Sequence, residues 1–181
     1  NPDILCLGDA GIGNTTIASA ICSALYGEDV EEWLGSGTGA DQEMIEKKIE
    51  VIKKSLITHK NREPFQILRC FGGREFAAIA GAIIAARFER VPVILDGFPV
   101  CAAAAILYEI SPSSIDHCYV GHRSAELGHS KLLEKINKTP LIDFKMRLGE
   151  GSGAAMAMPI IMSAINIHNN TSTFEEADVP N

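Results

Sequence analysis

Short apolar runs alternate along this chain with longer stretches in which apolar residues recur every three to four positions, and glycine separates one kind from the other. Runs of four or five apolar residues bounded by turn chemistry predict strands, and the 3.6-residue period predicts helices. Strands are expected at Ile4 to Leu7, at Val91 to Leu95 with Pro92 at the beginning, at Cys118 to Val120 and, more weakly, at Leu141 to Asp143. Asn14-Thr15-Thr16 can cap a helix that buries Ile17, Ala20, Ile21 and Leu25, and Asp41 can cap a long one with Met44, Ile45, Ile49, Ile52 and Leu56 as its inner stripe. Two helices, Phe65 to Phe71 and Glu75 to Arg87, are expected to meet at a Gly72-Gly73 corner. Further helices are expected from Cys101 to Tyr108, from Ser124 to Asn137 and from about Ala154 to His168, followed by an irregular polar tail over 169–181.

Strand, glycine turn and helix in repeated order predict an α/β fold: a three-layer, Rossmann-like arrangement with a mostly parallel sheet and helices on both faces. In such sheets ligands bind at the carboxyl ends of the strands, so the function is expected on that rim. The 181 residues suffice for one sizeable domain, and no linker divides them. The chain opens on Asn1-Pro2-Asp3 and enters a strand at once, which reads as a start inside a longer protein.

Composition narrows the function. Sixteen basic against 23 acidic residues give a net charge of −7, which supplies no field to neutralise nucleic-acid phosphates. The longest run of small and apolar residues, Phe76 to Ala86, is too short to cross a bilayer, so neither a nucleic-acid nor a membrane partner is expected. Cys6, Cys22, Cys70, Cys101 and Cys118 are odd in number, widely spaced and mostly within apolar stretches; they read as reduced, buried thiols of a cytosolic protein.

Three glycine clusters carry the candidate chemistry: Gly8-Asp9-Ala10-Gly11-Ile12-Gly13, Gly35-Ser36-Gly37-Thr38-Gly39 and Gly149-Glu150-Gly151-Ser152-Gly153. Each leaves backbone amides free near a helix start, where the dipole favours an anion, and three in one α/β domain point to a phosphorylated ligand. The first has the order Gly-x-x-Gly-x-Gly instead of the dinucleotide Gly-x-Gly-x-x-Gly, and no cluster ends in the Gly-Lys-Ser/Thr of an NTPase loop. Glu150, a carboxylate between glycines at a helix start, is the sharpest candidate for acid–base work, against a plain helix-dipole role. Asp9 and Asp96 follow strands and can hold ribose hydroxyls or merely cap helices; Lys48 can meet a phosphate or stay solvated. Two carboxylates, Glu150 with Asp9 or Asp96, also fit glycoside hydrolysis in form. His122, Glu126 and His129, at i, i+4 and i+7, would share one helical face and offer a zinc site, although Gly128 weakens that helix and the order is not His-Glu-x-x-His.

Taken together, Leu7-Gly8-Asp9-Ala10-Gly11-Ile12-Gly13-Asn14-Thr15-Thr16, the Gly35 to Gly39 cluster, Gly72-Gly73-Arg74-Glu75-Phe76-Ala77-Ala78-Ile79-Ala80-Gly81, Val91 to Phe98, Gly121-His122-Arg123-Ser124-Ala125-Glu126 and Arg147-Leu148-Gly149-Glu150-Gly151-Ser152-Gly153-Ala154-Ala155 resemble the nicotinate-nucleotide:dimethylbenzimidazole phosphoribosyltransferases, in order from about Leu5 to Val179. The resemblance implies transfer of 5-phosphoribose from nicotinate mononucleotide to a benzimidazole base, with inversion at the anomeric carbon, in assembly of the cobalamin lower ligand. By resemblance Glu150 is the base and Asp9 a second catalytic carboxylate. Gly37, Lys48, Gly151, Ser152 and Gly153 would hold the phosphate, Gly11, Asp96, Gly97 and Ser124 would line the ribose and phosphate site, and Leu148 would face the benzimidazole. The resemblance further implies a homodimer with no metal and no cofactor. Position 9 is Asp where the family usually has Glu, and position 10 is Ala where it usually has Met, which bears on the base accepted. Family members are about twice this length, so the chain resembles their C-terminal half, and a phosphoribosyl-nucleotide binding domain without catalysis is the alternative reading.

Overall fold

A computed structural model describes residues 2–27, 29–34 and 42–178. Its elements are β1 (Leu5–Leu7), α1 (Asn14–Tyr26), α2 (Val30–Leu34), α3 (Gln42–Thr58), α4 (Pro64–Ile67) running through a π-helical turn (Leu68–Gly72) into α5 (Gly73–Phe88), then β2 (Val93–Leu95), α6 (Phe98–Ile110), a 3-10 turn (Pro112–Ile115), β3 (Cys118–His122), α7 (Leu127–Lys135), β4 (Pro140–Ile142) and α8 (Ser152–Asn170). The strands form one sheet in the order β1-β2-β3-β4, and every neighbouring pair is parallel.

Strand alternation sorts the side chains onto two faces. Leu5, Leu7, Val93, Leu95, Cys118 and Val120 join one large core with Ile21, Trp33, Ile83, Phe98, Ile106, Leu107 and Leu132 from α1, α2, α5, α6 and α7. The opposite face packs Ile94 against Ala154 and Ala157 of α8, with Ile4, Cys6, Met158 and Ile161 alongside. The three layers are therefore unequal: the helices that connect the strands cover one face, and among the described residues α8 alone covers the other. α6 is the central helix, buried from Phe98 to Leu107, because its Ala102-Ala103-Ala104-Ala105 run lets neighbours approach on every side.

Several expected boundaries move. Asn14 opens α1 instead of capping it: Gly13, left-handed at φ 93°, is the cap residue, and the Asn14 side chain turns to Asp9 and Glu75. α2 has a five-residue amphipathic pattern, too short to register in the sequence as a helix. Met44 is exposed, whereas Ile49, Ile52 and Leu56 of the predicted stripe pack inward; Asp41 lies outside the described residues. The segment expected as one helix from Ser124 is an extended turn until Glu126, and α7 begins at Leu127. His122 sits in β3, so His122, Glu126 and His129 share no helical face, and the alternative of a zinc site on one helix, raised by their spacing, has no such helix to stand on.

Candidate active site

The carboxyl ends of the strands and the loops that follow them enclose a small cleft lined by Asp9, Thr15, Gly97, Phe98, Ser124, Glu126, Arg147, Leu148 and Gly149, among others. It encloses about 50 Å3, well under the roughly 300–1,000 Å3 of a ligand pocket, so these residues form a wall and not a closed chamber. A larger, apolar groove of about 700 Å3 lies on the opposite side of the molecule, below α8, lined by Ile4, Tyr119, Leu141, Met158 and Ile165. It lacks the converging polar groups that chemistry requires, which leaves the rim cleft as the candidate site.

The loop before α8 is the most constrained part of that rim. Gly149 (φ 79°), Glu150 (φ 59°) and Gly151 (φ 80°) are three successive left-handed residues. Glycine adopts this region freely; a glutamate there is an outlier held by its surroundings, a kind of strain that collects at functional sites. The loop fits only because its neighbours lack side chains. A Cβ on Gly8 would lie 2.1 Å from Gly151 N, one on Gly121 would lie 2.9 Å from Ala154 Cα, and one on Gly149 would lie 3.0 Å from Asp9 Oδ1. Asp9 at the end of β1 and the Glu150 loop are thereby brought together across the cleft.

Asp9 is oriented from behind. Asn14 Nδ2 donates to Asp9 Oδ2 at 3.1 Å, to the Ala10 carbonyl at 3.1 Å and to Glu75 Oε2 at 3.1 Å. Glu75 Oε1 also accepts from the Ala10 amide. Asp9 Oδ1, buried, has no hydrogen-bond partner among the described residues and faces Gly149. Glu75 reaches this position because the π-helical turn and Gly73 (φ 68°) reset the chain direction just before α5 begins.

Asp96 is fully buried, and its oxygens accept from the amides of Gly151 (3.0 Å), Gly153 (2.7 Å) and Ala154 (3.0 Å). It does not reach the cleft surface, and the backbone donors of Gly151 and Gly153 expected for a phosphate are occupied by it. The Ser152 hydroxyl is buried without a partner among the described residues. Gly97 and Ser124 do line the cleft; Ser124 Oγ accepts from the Glu126 amide at 3.2 Å, and the Ser124 amide donates to His129 Nδ1 at 2.9 Å. Burial first, then the neighbouring His122 and Arg123, pushes His129 down to about 3, so it is neutral. Leu148 presents its side chain to solvent at the cleft edge, 73% exposed. Gly11 stands at the outer turn at φ 111°, near Glu75. Lys48 of α3 is half-buried, and with Arg147 it acts electrostatically on Glu126, whose carboxyl is held above its usual range mainly by burial. Gly37 and its cluster lie outside the described residues.

Sequence reasoning missed Asn14, Glu75 and Arg147 as parts of this wall. Glu75 carries a readable signal, an acidic residue in the first turn after a double glycine. Arg147 stands directly before the Leu148-Gly149-Glu150 segment, and its reach to Glu126 depends on a backbone bond from the Ala125 amide to the Met146 carbonyl, 2.9 Å, that only the fold reveals.

A family described as phosphoribosyltransferase matches residues 1–179. Nicotinate-nucleotide–dimethylbenzimidazole phosphoribosyltransferases of Brucella canis and Allorhizobium ampelinum are 52% and 53% identical to this chain over 98% and 99% of its length, and the match spans 53% of each of those proteins. Crystal structures of CobT and of the like-named phosphoribosyltransferase, both from Thermus thermophilus, superpose with TM-scores of 0.92 and 0.90 at 39% and 37% identity, over 99% and 100% of this chain and 54% and 53% of theirs. The chain thus spans about half the length of the relatives it matches. With a family model matching residues 1–179, relatives more than half identical over nearly all of its length and the same fold at a TM-score of 0.92, it belongs to the nicotinate-nucleotide–dimethylbenzimidazole phosphoribosyltransferase family.

Proposed function

We propose that this chain carries the phosphoribose-holding wall and the base of an enzyme that moves 5-phosphoribose from nicotinate mononucleotide to 5,6-dimethylbenzimidazole or a related base. The observation that carries this reading is Glu150, held left-handed between Gly149 and Gly151 in the loop that meets the carboxylate of Asp9 across the cleft. In the reaction the lone pair of one imidazole nitrogen forms a bond to the anomeric carbon. The bond from that carbon to the pyridinium nitrogen breaks, and its electrons neutralise the departing nicotinate ring. The leaving group needs no acid; the attacking ring must lose its N–H proton, and Glu150 takes it. Asp9, with one oxygen tied to Asn14 and the other without a partner among the described residues, stabilises the positive charge that develops on the ribose. No step requires a metal or cofactor.

For the phosphate, the α1 N-terminus is the better-supported seat: it starts at Gly13 without a side-chain cap and with no acid in its first turn, and Thr15 lines the cleft. Lys48 and Ser152 complete the anion site, with Gly11, Gly37, Gly97 and Ser124 giving backbone access, while the Gly151 and Gly153 amides, already bonded to Asp96, shape the loop instead of meeting the phosphate; Leu148 offers the apolar contact for the incoming base. A homodimer and a cytoplasmic setting complete the proposal, the latter supported by five cysteines that are all free. Glu150→Ala should abolish release of nicotinate in the presence of dimethylbenzimidazole while nicotinate mononucleotide still binds; undiminished turnover would remove Glu150 from the role. A binding domain without catalysis is favoured by one observation, the half-length span of the match. Tight nucleotide binding with no product from the unsubstituted chain would select it.

A further inference from the structure

Asp96 has two ordinary explanations, and the structure leaves room for neither. A carboxylate just before a helix commonly caps that helix. Here α6 begins after Gly97 with no side-chain cap bond, so Asp96 does not serve its own helix. A carboxylate at a strand's carboxyl end commonly meets a ligand hydroxyl, yet Asp96 is 0% exposed. Its amide donates to the Leu7 carbonyl at 3.0 Å, which fixes it to β1, and both carboxylate oxygens are used on the α8 N-terminus, 55 to 58 residues later in the chain.

A helix start normally takes its cap from its own sequence, a Ser, Thr, Asp or Asn at the cap position. In α8 that position is Gly151, which carries no side chain to cap with and is left-handed at φ 80°, a conformation a capping Ser, Thr or Asp would adopt only under strain. The cap therefore comes from the end of β2. His122 closes the cradle: its Nε2 lies 3.5 Å from Asp96 Oδ1, and its ring fills the space that a side chain on Gly153 would take, 1.9 Å from such a Cβ.

Given the transfer reading above, we propose that Asp96 is a positioning residue, which references the Glu150 loop to the central strand by three backbone hydrogen bonds and has no contact with substrate. The loop residue that must meet a proton is thus held by the sheet and not by loop stiffness alone, which suits chemistry sensitive to small displacements.

Residue-resolved amide hydrogen exchange on the whole chain tests this. The first amides of a helix lack intrahelical partners and exchange freely unless capped. In the unsubstituted chain, Gly151, Gly153 and Ala154 are expected to be slowed at least a hundredfold; exchange near the unprotected rate overturns the proposal without any variant. In Asp96→Asn, which swaps an acceptor for a donor, exchange at those amides should quicken at least tenfold while Ile106 and Leu107 in α6 change less than twofold; unchanged rates at the three amides also overturn it. In the transfer assay the variant should lose at least thirtyfold in kcat with the KM for nicotinate mononucleotide within threefold. A raised KM with unchanged kcat would make Asp96 a substrate contact instead and overturn the proposal. Should the unsubstituted chain turn over nothing, the transfer reading fails and the exchange rates alone decide the role of Asp96.

Discussion

Glu150 keeps a backbone conformation, φ 59°, that costs a residue with a side chain about 1–2 kcal/mol relative to glycine. Glu150→Gly is therefore expected to hold or raise Tm while transfer disappears; a Tm lower by several degrees would mean that the carboxylate supports the fold and not the chemistry. A second residue-scale expectation concerns pH. His129 is depressed to about 3 in the folded chain, against about 6.5 when unfolded. As pH falls, the unfolded chain takes the proton first, so this residue's full contribution is present above about pH 6.5 and is lost progressively toward pH 3, at no more than about 1.4 kcal/mol per pH unit. Glu126, raised by burial, works in the opposite sense just above the ordinary glutamate range and partly offsets that decline there. Urea unfolding at pH 7.5 and 5.5 checks this, and His129→Gln should flatten the difference.

At the scale of elements, glycines separate the positions where the chain must touch itself from those where it need not. A Cβ on Gly153 would meet the His122 ring at 1.9 Å, so Gly153→Ala is expected to lose about 2–3 kcal/mol and to displace the α8 start. Gly81, exposed in the interior of α5 with nothing within 4 Å of an added Cβ, should give about 0.5–1 kcal/mol of stabilisation as Gly81→Ala. Thermal unfolding distinguishes the two; equal effects would contradict the packing described. The same contrast explains what was legible in the sequence. Apolar runs such as Val93–Leu95 and the period of α5 are local signals, and they yield strands and helices within a few residues. The glycines at 8, 121 and 153 announce close approach without naming the partner, and Asp96 announces a carboxylate without showing that its destination lies more than 50 residues away. The helix expected from Ser124 starts three residues late, at Leu127, because the hydrophobic period does not register the turn over Ser124 to Glu126, and the same turn separates His122 from His129.

Across the whole molecule, the two faces of the sheet are served unequally. The helices connecting the strands bury one face, while α8 leaves Met162, Ile165 and Ile167 exposed and forms with Ile4, Tyr119 and Leu141 an apolar groove of about 700 Å3. Exposed apolar patches of this extent favour association. A Met162→Glu, Ile165→Glu double variant should remain monodisperse at higher concentration than the unsubstituted chain, with stability changed by less than about 1 kcal/mol since neither side chain is buried; a large loss of stability would show that α8 depends on those residues for its own packing. The candidate catalytic rim lies at the other end of the sheet and is untouched by such changes. It follows that nucleotide recognition can be tested in this chain alone. Isothermal titration with nicotinate mononucleotide is the most direct measurement: saturable, one-to-one binding is the result expected if the β1 loop, the α1 start and the Glu150 loop hold the phosphoribose, and a folded chain that takes up no nucleotide would contradict it.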